Sequence, residues 1–184
     1  MSHPMPRIAP LAPPYPPEIQ AHFDRIMRGA PPLMLFRVMA GHGRAWDKFR
    51  GASLLDPGPL SLRQREIVID RTCALNRCEY EWGVHVAIFA GPAQLSAEQV
   101  RATVKGDATS PCWSPPEQAL IAAVDALHAR AMLDDAEFSA LSAHYDAAQI
   151  LEIMLLCGFY RTVSYLANGL RLPLEERAAR FPQA

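Results

Sequence analysis

The sequence predicts an all-α fold, and three observations carry that expectation. Helix starts recur at a legible spacing, no segment alternates apolar and polar residues well enough for a strand, and half of the 184 residues are hydrophobic, enough for one helical core. The starts are Ser61 with Gln64, Ser96 with Gln99, Ser114 with Glu117, Asp134 with Glu137 and Asp146 with Gln149. Each has capping-box spacing, in which the cap and the third helical residue satisfy each other's orphan N–H groups. Pro115 follows Ser114 at a first helical position, where a missing N–H costs nothing.

Taken in order, Pro4, Pro6, Pro10, Pro13, Pro14, Pro16 and Pro17 make residues 1–16 an extended, polyproline-like arm, expected to lie across the surface or on a neighbouring subunit. Residues 17–184 are expected to form a single helical domain. Helices are expected at about 17–28, 32–49, 62–75, 78–90, 97–105, 115–130, 135–144 and 147–170, a bundle of about seven to eight. Gly91-Pro92 stops the fourth, and Gly106 with Pro111 brackets a loop carrying Cys112 and Trp113. The last helix is apolar over much of its circumference, which fits either the domain centre or a subunit interface.

Eighteen basic residues against nineteen acidic ones leave a formal charge of -1, too little positive surplus to favour a phosphate backbone or an anionic membrane. No nucleic-acid or membrane partner is expected. No apolar run is expected to reach the length of a membrane span and none reads as a signal peptide, so a cytoplasmic location is the expectation. The four cysteines (Cys73, Cys78, Cys112 and Cys157) are irregularly spaced and expected to be reduced.

Chemistry concentrates between Glu66 and His85. On a helix, Cys78, Glu81 and His85 are three and four residues apart and share one stripe, with Trp82 and Phe89 beside it as candidate pocket walls. Gly83, Ala87 and Ala90 mark a face open to another helix. If the chain reverses near Asn76 and Arg77, helices 62–75 and 78–90 run antiparallel. Glu66 then lies about 12 Å before the turn and His85 about 10 Å after it, at about 1.5 Å per residue, so the two meet at one height. His85 suits a general acid or base, and two carboxylates near one imidazole can divide acid and base roles. The plainer alternative for Glu66 and Glu81 is a salt bridge with Arg63, Arg65, Arg71 or Arg77. Cys78 lies in the first helical turn, where the macrodipole lowers a thiol pKa and the nearby carboxylates raise it. Cys73, across the turn, is a candidate resolving thiol. A cysteine, glutamate and histidine on one helix are not a standard zinc set, and no metal is assigned. Cys112, Cys157, His128 and His144 are read as structural.

These residues resemble the core of the carboxymuconolactone decarboxylase and alkylhydroperoxidase D-like (AhpD-like) superfamily: a glutamate, a Cys-x-x-Cys twelve residues later, and a histidine four residues beyond the second cysteine. Glu66, Cys78 and His85 keep every spacing, and Glu81 stands at the second cysteine. Asn168 to Glu175 is similar, more loosely, to the end of family members. The resemblance implies an AhpD-like helical bundle, a homo-oligomer (trimer or hexamer), a small-molecule substrate and no bound cofactor. The peroxidase branch uses a thiol pair that Glu81 interrupts. The decarboxylase branch is built around carboxylate and histidine, and it implies a lyase acting on a small organic acid or lactone through His85, Glu66 and Glu81. A thiol peroxidase using Cys78 is the alternative, and a non-catalytic binding protein a further one.

Overall fold

A computed structural model describes residues 6–183; Pro4 and Ala184 lie outside the described residues. Among these residues there are nine α-helices and no strands: α1 (Pro17–Met27), α2 (Met34–Ala40), α3 (Gly43–Arg50), α4 (Leu62–Leu75), α5 (Glu79–Phe89), α6 (Ala97–Lys105), α7 (Pro115–Arg130), α8 (Asp135–Ser142) and α9 (Ala147–Gly169). The expected helix over 32–49 is two, because Gly41 and Gly43 flank an extended His42 that caps α3. Two glycines of low helix propensity so close together let the chain turn there, raising the helix count above seven to eight.

All five capping pairs form. At Ser61, Ser96, Asp134 and Asp146 the side chain accepts the N–H of the third helical residue, whose own side chain reaches back. The Glu117 carboxylate accepts both the N–H and the hydroxyl of Ser114.

Helix α4 is the hub, packed by α5, α6, α7 and α9. Every residue from Glu66 to Cys73 is buried, so the helix is enclosed on all sides and carries Glu66, Asp70, Arg71 and Thr72 into the core. The apolar surroundings include Ile67, Ile69, Leu120, Ile121, Ile153 and Leu156, each worth about 1.5–3 kcal/mol when fully buried. Contrary to the expectation that no segment reaches membrane-span length, α9 is long and apolar enough by length and composition to cross one. Glu152 and Arg161 interrupt its apolar run without outweighing it, and Ile150, Ile153, Leu156 and Val163 face the core.

The described part of the arm, residues 6–16, lies on its own chain. The Arg7 N–H donates to the Leu170 carbonyl (2.9 Å), and Leu11 exchanges hydrogen bonds with Arg37 (3.0 Å each). Gly83 receives the C-terminal tail, not another helix: the Ala179 N–H donates to the Gly83 carbonyl (2.9 Å), and a Cβ at Gly83 would collide with the Ala179 carbonyl.

Candidate active site

The turn between α4 and α5 sets the site. The Arg77 N–H donates to the Ala74 carbonyl and the Cys78 N–H to the Cys73 carbonyl, both at 2.9 Å, with Arg77 at φ 54°. This paired pattern ends a helix and turns the chain back. Cys78 is therefore the cap of α5 rather than a residue of its first turn.

Helix α5 then brings His85 to Glu66. Nδ1 lies 2.7 Å from Glu66 Oε2, and Nε2 lies 3.4 Å from Glu81 Oε1, so the imidazole sits between two carboxylates. All three are buried, His85 to 3% exposure and Glu66 to 1%. Burial pulls the His85 pKa down, but the hydrogen bond to Glu66, the contact with Glu81 and the two carboxylate charges outweigh it and raise it to about 10. This raise favours the imidazolium form of the ring at neutral pH. Its two sides differ: the Glu66 contact is short, whereas Nε2 faces Glu81 at a length where a hydrogen bond is weak. Glu81 Oε2 is buried without a hydrogen-bond partner, as is Asp70 Oδ1.

Aromatic rings enclose the imidazole. Phe89 lies 5.3 Å from it and Tyr160 of α9 lies 5.1 Å away, edge-on. Arg65 donates from Nε to Glu66 Oε1 (3.2 Å) and from Nη1 to the Leu55 carbonyl (3.1 Å), and it covers the Phe89 ring at 5.7 Å. Of the four arginines that offer a plain salt bridge to Glu66 or Glu81, Arg65 takes Glu66, while Arg63 pairs with Glu117 and Arg71 with Asp125.

The expected wall residue Trp82 is placed elsewhere. Its Nε1 donates to Thr103 Oγ1 (3.0 Å) and its ring packs on Phe181 at 5.0 Å, because position 82 turns toward α6 and the C-terminal tail. Tyr160 fills the wall role beside Phe89. Nothing local in the apolar α9 pattern marks it, whereas Asp70, one turn beyond Glu66, was open to the same spacing rule that grouped Glu81 with His85.

Both turn cysteines are buried. Burial raises the Cys78 thiol to about 11, against the lowering effect of the Glu81 N–H, and the Glu81 charge raises it further. Burial also pushes Cys73 well up, reinforced by Cys78. The helix-end effect that favours a thiolate is thus overruled by desolvation. Cys157 lines a separate pocket of about 240 Å³ between α4, α7 and α9, with Thr72, His128 and Arg161.

Residues 40–126 match the model of the carboxymuconolactone decarboxylase family. No curated protein matches the chain. Among solved structures, an uncharacterized peroxidase-related protein from Silicibacter sp. TM1040 is 21% identical, with 99% of this chain and 100% of that one covered and a TM-score of 0.82. A peroxidase-related protein from Ralstonia eutropha JMP134, described as an alkylhydroperoxidase AhpD core, is 16% identical over 95% of each chain, with a TM-score of 0.80. A cysteine-to-alanine variant of the debrominase Bmp8, in complex with 2,3,4-tribromopyrrole, is 17% identical over 92% of each chain, with a TM-score of 0.76. These structures share the fold, and over residues 40–126 the chain is similar to the carboxymuconolactone decarboxylase family.

Proposed function

We propose that the chain is a lyase-type enzyme that moves a proton on a small organic acid or lactone, with His85 as the proton carrier. The observation that supports this most is the buried imidazole ring of His85 held between Glu66 and Glu81. Glu66 accepts from Nδ1–H and fixes the tautomer, so the proton on Nε2 is the one free to leave. Loss of carbon dioxide beside a carbonyl generates an enolate. Nε2 protonates the vacated carbon, and the neutral imidazole keeps its Nδ1 proton on Glu66. Glu81 orients Nε2 until substrate replaces it, and Phe89 and Tyr160 keep water out.

Self-assembly belongs to the same reading. The outer face of α9, with Leu151, Leu155 and Tyr165 all exposed, supports a homo-oligomer, and light scattering on the purified protein tests it.

A second reading, a thiol peroxidase, draws support from the turn. Cys78 follows Cys73 across a shared hydrogen bond, and both thiols interact with Ser164. In it the Cys78 thiolate attacks a hydroperoxide, releasing an alcohol and leaving a sulfenic acid. Cys73 then condenses with that acid to a disulfide and water, and an external thiol reduces the disulfide. A thiol raised to about 11 weighs against it.

Turnover of a panel of small carboxylic acids, lactones and alkyl hydroperoxides by two variants separates the readings. His85→Ala is expected to lower acid or lactone turnover by about a hundredfold or more, with Cys78→Ser near wild type. Peroxide turnover abolished by Cys78→Ser, with no turnover of acids or lactones by the wild type, would establish the second reading instead.

A further inference from the structure

The cavity between α4, α7 and α9 has no part in the chemistry proposed for His85. Val124 and Leu127 of α7 and Met154 of α9 give it apolar walls, and Thr72, His128 and Arg161 bring polar atoms to them. Its volume is about 240 Å³. A cavity of about 150 Å³ accepts benzene, so there is room here for one aromatic ring or short chain carrying a small polar group.

The lining selects that group by charge. No acidic residue lines the cavity, and Arg161 is its one arginine or lysine. Burial, reinforced by the Arg161 charge, holds the His128 imidazole below its usual pKa, so it is neutral at neutral pH. Asp125 and Arg71, whose charges also reach His128, are paired with each other at 2.6 and 2.8 Å. The Arg161 guanidinium is fixed in advance: Nη1 donates to the His128 carbonyl (3.2 Å) and Nε to the Tyr165 hydroxyl (2.7 Å). Among the described residues Nη2 has no partner, and the buried His128 Nδ1 has none either. Bare carbonyls at the ends of α4 and α7 would oppose an anion. Those at the cavity are already met, Thr72's by the Asn76 side chain (2.7 Å), Leu127's by the Ala131 N–H (3.0 Å) and His128's by Arg161. An apolar hollow with an unfilled charged donor suits an acid with an apolar body.

Gly158 keeps the space open. It lines the cavity from within the 23-residue helix α9, where glycine lowers helix stability. Crowding does not require it, because a Cβ there would meet nothing within 4 Å.

We propose that this cavity is a second ligand site, binding a small carboxylic acid with its apolar body on Val124, Leu127 and Met154 and its carboxylate on Arg161 Nη2. The site is separate from His85 and does not depend on the reaction proposed there.

Benzoate titrated into the purified protein, followed by calorimetry, should bind saturably with a Kd of about 1 mM or below. Arg161→Gln should weaken it about tenfold or more, because a charged hydrogen bond is lost. Benzamide, which keeps the ring and lacks the charge, should bind the wild type as weakly as benzoate binds that variant. Gly158→Leu should abolish binding with Tm at or above the wild-type value, since leucine is the better helix former. Benzoate is itself a small acid, so His85→Ala locates it: the affinity there should equal that of the wild type. Absence of saturable binding, equal affinity for benzamide, or binding unaltered by Arg161→Gln or Gly158→Leu would overturn the proposal. Loss of binding in His85→Ala would overturn it too, by placing the acid at the other site.

Discussion

Helix α4 carries two buried polar clusters on opposite flanks, and they have opposite character. On one, Arg71 grips Asp125 through two hydrogen bonds (2.6 and 2.8 Å) and donates to the carbonyls of Thr103 and Gly106 (3.1 and 2.9 Å). Charge is balanced there and every contact has a donor and an acceptor. On the other, Glu66 and Glu81 hold one imidazole between them, and two buried carboxyl oxygens, Glu81 Oε2 and Asp70 Oδ1, meet no donor. The first arrangement resists change, because moving any proton or side chain loses more than it gains. The second holds groups whose proton affinities their neighbours have shifted, a pattern that clusters at reactive sites.

The largest effect that sharpens this contrast is on stability. Arg71→Ala should lower unfolding free energy by about 3 kcal/mol, since it strands Asp125 and two carbonyls, and should leave the His85 titration unmoved. Denaturant unfolding and histidine NMR check both halves; a shifted His85 would show the flanks to be coupled.

Glu66→Gln probes the reactive flank. The His85 pKa, raised in the folded chain to about 10 from 6.5, should fall by about one unit or more, or ~1.4 kcal/mol. The same shift makes stability depend on pH. Because the folded form binds the proton more tightly, the His85 contribution is complete below 6.5 and is lost as pH rises through about 10. Wild-type Tm should therefore drop across that window, and Glu66→Gln should flatten the drop. An unaltered His85 pKa in the variant would remove Glu66 as its main partner.

The smallest effect is a control outside both clusters. Ser96→Ala removes a cap that accepts the Gln99 N–H at 3.1 Å and should cost about 1 kcal/mol, with no change in any titration.

Much of this was legible in the chain. The five capping pairs are short-range chemistry, complete within four residues, and all of them form. The approach of His85 to Glu66 followed from helical rise and one reversal at Asn76-Arg77. Trp82 escaped because spacing along α5 does not say which way a ring turns when Thr103 offers its indole a hydrogen bond from α6. Tyr160 escaped because it comes from a helix about 75 residues away in sequence, in a stretch that reads as ordinary core.

The sequence by itself determined the helices, their caps and the meeting of Glu66 with His85, since each depends on neighbours in the chain or on one turn. Tertiary structure decided the protonation states. Cys78 stands at a helix start that favours a thiolate, yet burial holds it as a thiol, and Asp70 gains its raised pKa from enclosure by four helices. Desolvation is a property of everything packed around a group, so it appears only once the distant parts of the chain have come together.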